Sequence, residues 1–167
     1  MDKIFHPIAK VTRTSGLKGE VCLKPLSRYF EKYINNNSFL IGSSIDQSNK
    51  VNIEMINGIG KKRKFKFSGF DSMDSAKKII GKTIFVQTSL ESKINWISKN
   101  ILDYEVIDES GNYLGCIIDV IWLPSHDAYI IEKNSKEYII PIIPEIIKKL
   151  DHDNRNIIIQ PMDGLVN

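Results

Sequence analysis

The amino-acid sequence predicts a mainly β chain of two small units joined by a short linker, with one helix in the first unit and a short helix in the second. Three observations predict it. Apolar residues recur with a period of two along most of the chain, as half-buried strands require. Helical spacing is clear in one stretch only, where Met73, Ala76, Ile79 and Ile80 recur three or four residues apart. Charge is divided: residues 1–90 hold 16 Lys and Arg against 7 Asp and Glu (+9), and residues 91–167 hold 7 against 13 (−6), within a net charge of +3 for all 167 residues. The chain is also rich in Ile, with 29, and in Lys and Asn, but a compositional bias raises Lys in both halves and leaves the split unexplained.

The elements follow in order. Ile4 to Thr12 is a first strand, and Glu20 to Leu26 a second, with Val21, Leu23 and Pro25 on one face. Ser27 to Tyr33 is a helical turn capped by Ser27. Ser38–Gly42 and Val51–Ile56 are further strands. Arg63 to Ser68 alternates charge with Phe, which predicts a half-buried strand with a basic outer face. Asp71-Ser72 caps the clear helix and Gly81 stops it. Thr83–Gln87 is the last strand of a first domain, residues 1–88.

Residues 89–99 are polar and mixed, with Trp96 and Ile97 as isolated apolar side chains, and read as the linker. The second domain, residues 100–167, starts with a strand at Tyr104–Asp108 and a hairpin turn at Glu109–Asn112. Leu114–Trp122 and Ala128–Lys133 are β-rich, Asn134-Ser135 is a turn, and Tyr138–Ile143 is a strand. Pro144–Lys149 reads as a short helix with Pro near its start, Asp151–Asn156 as a turn, and Ile157–Ile159 as the last strand. Short strands so spaced make a small barrel or a sandwich.

Catalytic patterns are missing. The sequence has no GxxxxGK[ST] cradle, no GxGxxG and no GxSxG elbow. His6, His126 and His152 lie away from Cys22 and Cys116, so zinc spacing is absent. No catalytic residue, cofactor or metal is therefore expected. His126-Asp127 and Asp151-His152-Asp153 read as solvated turn residues. No apolar run reaches the roughly 18–20 residues of a membrane span. The opening Met1-Asp2-Lys3-Ile4 lacks a signal-peptide core, and two cysteines without a CxxC point to a reducing, cytoplasmic setting.

What remains are surfaces. Arg13, Lys18, Lys24 and Arg28 cluster around one glycine-bearing turn, and Lys61, Lys62, Arg63, Lys64 and Lys66 form a second basic run. Such groups neutralise phosphates, with solvated loop and strand faces as the plain alternative. In the second unit Trp96, Trp122 and Tyr129 are interface candidates, and core packing is favoured for Tyr129 inside its strand.

At this point the residues match a known family. Gly16-Leu17-Lys18-Gly19-Glu20-Val21, followed by Leu23-Lys24-Pro25-Leu26, resembles the "G-x-x-G-E-V" turn between the first two strands of RimM ribosome maturation factors. Asp74 to Lys82, with Ile84 and Val86, is similar to the family's "A-x-x-L-x-G-x-x-L-x-V" segment. Val106-Ile107-Asp108, Gly111, Tyr113-Leu114-Gly115, Val120-Ile121, Asp127 and Ile140 to Ile146 resemble a PRC barrel. The closing Pro161-Met162-Asp163-Gly164-Leu165 is similar to a "P-x-G-L" end. The chain departs from the family pattern at Ser15, where a His is common, at Trp96-Ile97, where a tyrosine pair is usual, and at Leu123-Pro124-Ser125-His126, where the loop often carries Gly and Asn.

The resemblance implies two small β-barrel domains. It also implies a non-enzymatic, cytoplasmic, monomeric assembly factor, without a membrane or cofactor, that binds the head of the immature 30S subunit. There it would contact ribosomal protein S-nineteen and 16S rRNA, promoting late maturation and 16S rRNA processing. Arg13, Gly16, Lys18, Gly19, Lys24 and Arg28 are the expected rRNA-facing residues, with Glu20 accepting backbone donors in the turn. Trp96, Ile97, Trp122 and His126 are the expected contacts to the ribosomal protein. The charge split adds that the basic unit faces rRNA and the acidic unit the basic protein. Two other readings stand beside this one: an rRNA-processing or modifying enzyme, and a generic adaptor for some other basic protein.

Overall fold

Alternating apolar residues make β1 (Ile4–Thr14) long enough to serve two neighbours. It pairs antiparallel with β2 (Val21–Pro25) at one end and with β6 (Thr83–Thr88) at the other, bending at irregularities between Val11 and Arg13 and between Pro7 and Ala9. Together with β3 (Ser38–Gly42), β4 (Ser48–Asn57) and β5 (Lys64–Phe67) these strands close a barrel in the order β1-β2-β5-β4-β3-β6. This computed structural model describes residues 3–36, 38–161 and 163–164. Met1, Asp2, Met162 and Leu165, which the sequence reading used, lie outside the described residues. The chain divides into two compact units, Met1–Leu90 and Glu91–Asn167.

Ile8, Val11, Val21, Phe39, Ile41, Phe65, Phe67, Ile84 and Val86 are buried in the first unit. Helix α1 (Phe30–Tyr33) is a single turn. Ser27 does not cap it as the sequence predicts: the N-cap is Tyr29 without a side-chain cap bond, the Ser27 Oγ accepts the Tyr29 N–H at 3.1 Å in the turn before, and Phe30 and Ile34 turn inward. Helix α2 (Met73–Lys77) begins at a reciprocal cap, in which Ser72 and Ser75 each accept the other's backbone N–H. It is shorter than its apolar spacing predicts: Ile79 and Ile80 lie in the turn that follows, and Gly81 ends it at φ +79°.

The strand β5 also departs from expectation. β5 does not present a basic outer face, because Lys66 is only 8% exposed. Its Nζ donates to Asp71 at 2.8 Å, to Glu54 at 3.2 Å and to the Phe67 carbonyl at 2.9 Å. Burial pulls its pKa down, but the hydrogen bonds and charges of Asp71 and Glu54 outweigh that and hold it above the ordinary lysine value.

The second unit is one six-stranded sheet in the order β10-β9-β8-β7-β12-β11. Its strands are β7 (Glu105–Asp108), β8 (Tyr113–Trp122), β9 (Asp127–Lys133), β10 (Lys136–Pro141), β11 (Ile147–Asp151) and β12 (Asn156–Ile159). β12 runs parallel to β7, and all other neighbours are antiparallel. Hydrogen bonding leaves β10 and β11 at the two ends rather than closing the ring expected of a barrel. All six strands nevertheless enclose one core of Val106, Ile117, Tyr129, Ile131, Ile140, Ile147, Ile157 and Ile159, with Ile101, Tyr104 and Ile146.

Two expectations change here as well. Pro144–Lys149 is not a helix. Ile146 and Ile147 donate to the Ile143 carbonyl for one turn, and the chain then enters β11, which pairs with β12. The stretch at 89–99 is not a plain linker. Lys93–Ile97 is a 3-10 helix with Ile94 and Asn95 each 1% exposed, and Trp96 packs on the second core. The Tyr129 hydroxyl donates to the Trp96 carbonyl at 2.5 Å.

Candidate nucleic-acid interface

The glycine-bearing turn joins β1 to β2, and the Ser15 N–H donates to the Glu20 carbonyl across it at 2.7 Å. Gly19 is buried there at φ +84°, and a Cβ on it would stand 1.9 Å from the Phe70 carbonyl oxygen. Only glycine lets the turn press on the segment that caps α2. The close approach at Gly19 is therefore to the chain's own backbone. The Glu20 carboxylate accepts the Asn57 side-chain amide at 3.0 Å rather than backbone donors, and so ties this turn to the one between β4 and β5. Leu17 (80% exposed) and Lys18 stand outward on the first turn, and Ile59 (90% exposed), Lys61 and Lys62 on the second.

Beside these turns lies a groove of about 500 Å³ lined by Thr12, Arg13, Cys22, Leu23, Lys24, Pro25, Phe30, Glu31, Gly60, Lys61, Arg63 and Phe65. Pairing of β2 with both β1 and β5 creates it, since that brings the first basic group against the second. Arg63 is held within it. Its guanidinium forks onto Glu31 at 3.0 and 2.5 Å and lies 5.5 Å from the ring centres of both Phe30 and Phe65. Those rings meet edge to face at 6.2 Å. Arg13, Lys24 and Lys61 are exposed and form no ion pair with a described residue. Of the expected RNA-facing residues, the groove thus gathers Arg13 and Lys24. Lys18 and Gly16 stay on the neighbouring turn, and half-buried Arg28 is not among the lining residues. Lys61 joins them from the second basic run, while the apolar floor at Leu23 and Pro25 is not marked as a site by the sequence. The signal was in the alternation of β2 and β5, but their adjacency was not.

In the second unit Trp122, 66% exposed, ends β8 opposite Asp127. The Leu123 N–H closes the loop onto the His126 carbonyl at 2.9 Å, and His126 Nδ1 lies 2.7 Å from the Ser125 hydroxyl. Asp127 is 8% exposed, not solvated. Trp96 and Ile97 are half-buried. Tyr129 is fully buried core. His152 is also no plain turn residue: its Nδ1 lies 3.1 Å from the Tyr104 hydroxyl and its ring packs edge-on against that tyrosine. On the outer face of the sheet, register lines up Glu105, Cys116, Glu132 and Glu137 across β7 to β10. Burial raises the Cys116 thiol pKa, and Asp103, Glu105 and Glu132 raise it further.

Among the described residues no group of three or more His, Cys, Asp or Glu could hold a metal ion, and no helix is long and apolar enough to cross a membrane.

Comparison with known proteins adds the family. Residues 6–90 match the RimM N-terminal domain, and residues 98–165 match the RimM PRC barrel domain. The chain belongs to the RimM family. A Thermoanaerobacter sp. protein named ribosome maturation factor RimM is 30% identical over 164 residues, covering 96% of this chain and 98% of its own. The Pseudothermotoga lettingae protein of the same name is 32% identical over 159 residues, covering 92% and 95%. A crystal structure of RimM from Pseudomonas aeruginosa aligns over 95% of this chain and 98% of its own at 16% identity, with a TM-score of 0.47. The groove and the glycine turn fall inside the RimM N-terminal match, and the Trp122 loop inside the PRC match. Trp96 and Ile97, where the sequence departs from the family's tyrosine pair, lie between the two matched spans.

Proposed function

We propose that this RimM-family chain acts without catalysis as a ribosome maturation factor that binds the head of the immature 30S subunit. In this reading the first unit meets 16S rRNA and the second meets ribosomal protein S-nineteen. The observation that carries it is the gathering of Arg13, Lys24 and Lys61, exposed and without ion pairs to described residues, on one groove of the +9 unit. Cations so placed release counterions from RNA phosphates. Lys18 and Arg28 extend the basic surface, while Gly16 and Gly19 shape the turn that carries Lys18. On the −6 unit, the Glu132–Glu137 pair sets like charges directly opposite each other, which a basic protein would relieve. Trp122 and His126 supply the loop contact, and Trp96 and Ile97 the second, smaller one.

Binding acts by differential affinity. A factor that fits the unfinished rRNA–protein junction better than the finished one favours the conformation it fits and leaves when the mature surface no longer matches. Sedimentation of cell extract tests this: the protein should travel with free small subunits and be absent from joined ribosomes. Its absence from every ribosomal fraction contradicts the reading.

A further inference from the structure

We infer that the groove of the first unit takes one unstacked nucleotide of a single-stranded RNA segment, with its base on the apolar floor and its flanking phosphates on the cationic rim. This deepens the reading that the unit meets rRNA. The cavity, about 500 Å³, lies within the roughly 300–1,000 Å³ of small-molecule sites. A surface that reads only phosphate needs no apolar floor, yet Leu23, Pro25 and Phe30 line this one. A base inside a duplex is stacked on both faces and cannot reach such a floor, whereas a base of a loop or bulge can.

Arg63 supplies the second half of the argument. The Glu31 fork and the two Phe rings fix its guanidinium plane, and the exposed 22% of its side chain lines the groove. A fixed guanidinium plane is a surface on which a base stacks. The fork neutralises the Glu31 charge, so the anion nearest the floor does not repel a phosphate. Arg13, Lys24 and Lys61 then stand on the rim to meet the flanking phosphates.

The test uses the full chain and fluorescence anisotropy with a labelled short oligoribonucleotide, a duplex of equal phosphate number, and polyglutamate as an acidic peptide. The single strand should bind about tenfold or more tightly than the duplex. Leu23→Asp should abolish that preference. Pro25→Asp, at an exposed strand end, should do the same and keeps the test open if Leu23→Asp does not fold. Equal affinity for single strand and duplex overturns the inference, as does polyglutamate binding as tightly as RNA. If the preference is absent while the protein still sediments with small subunits, the groove assignment fails and the ribosome reading stands. If the preference is present without subunit association, the groove assignment stands and the ribosome reading fails.

Discussion

Lys66 and Arg63 are both basic residues of one run, and what lies across from each decides its part. Asp71 and Glu54 fold over Lys66 and remove it from the surface, while Glu31 and two rings hold Arg63 in the groove wall. Strand alternation shows that Lys64 and Lys66 share a face but not that the loop before α2 covers part of that face, so Lys66 was not legible in the sequence. Lys66→Ala should cost about 1–2 kcal/mol in urea unfolding, chiefly through the lost bond to the Phe67 carbonyl and the unmet pairs, because both carboxylates can return to water. Gly19 and Gly81 make a second contrast. Both have positive φ, but a Cβ on Gly81 meets nothing within 4 Å, whereas one on Gly19 strikes the Phe70 carbonyl. Gly81→Ala should cost about 1 kcal/mol and Gly19→Ala at least about twice that, since the turn must lift from α2.

Elements with a strong period of two were legible, and those whose partner lay far along the chain were not. Pro144–Lys149 has helix-forming residues and a Pro at its start, but Ile146 and Ile147 enter a core and β12 offers a ladder, so pairing overrides local preference. Around residues 93–97 the polar neighbours concealed a 3-10 helix whose tie is the Tyr129 hydroxyl. Tyr129→Phe should cost about 1 kcal/mol and speed hydrogen exchange at Lys93–Ile97 more than elsewhere in the second unit. The β11–β12 turn has its own pH signature. Hydrogen bonds from the Asn154 backbone, Lys149 and the Asn154 side chain hold Asp151 at a pKa of about 2, below the ordinary 3.8. A depressed carboxylate contributes stability above its unfolded pKa and loses it as pH falls through the folded one. The thermal unfolding midpoint should therefore drop as pH falls from the ordinary 3.8 toward about 2, and Asp151→Asn should flatten that slope.

At the scale of the whole molecule, the charge division was legible by counting, but its meaning needed the fold. Arg13 and Lys24 are near in sequence, and Lys61 is far from both, yet β2 and β5 bring all three to one groove. The same operation on the second unit aligns Glu105, Glu132 and Glu137 on one face. A chain with a net charge of +3 is thus a cationic barrel joined to an acidic sheet, and the proposed target, RNA beside a basic protein, would account for both signs. The most direct measurement is the salt dependence of binding to purified immature small subunits, for the native chain and for one carrying Arg13→Ala, Lys24→Ala and Lys61→Ala together. If these three cations meet phosphate, the slope of log affinity against log salt should fall by about 2–3 in the triple variant. An unchanged slope in a folded triple variant contradicts the assignment of the groove to RNA.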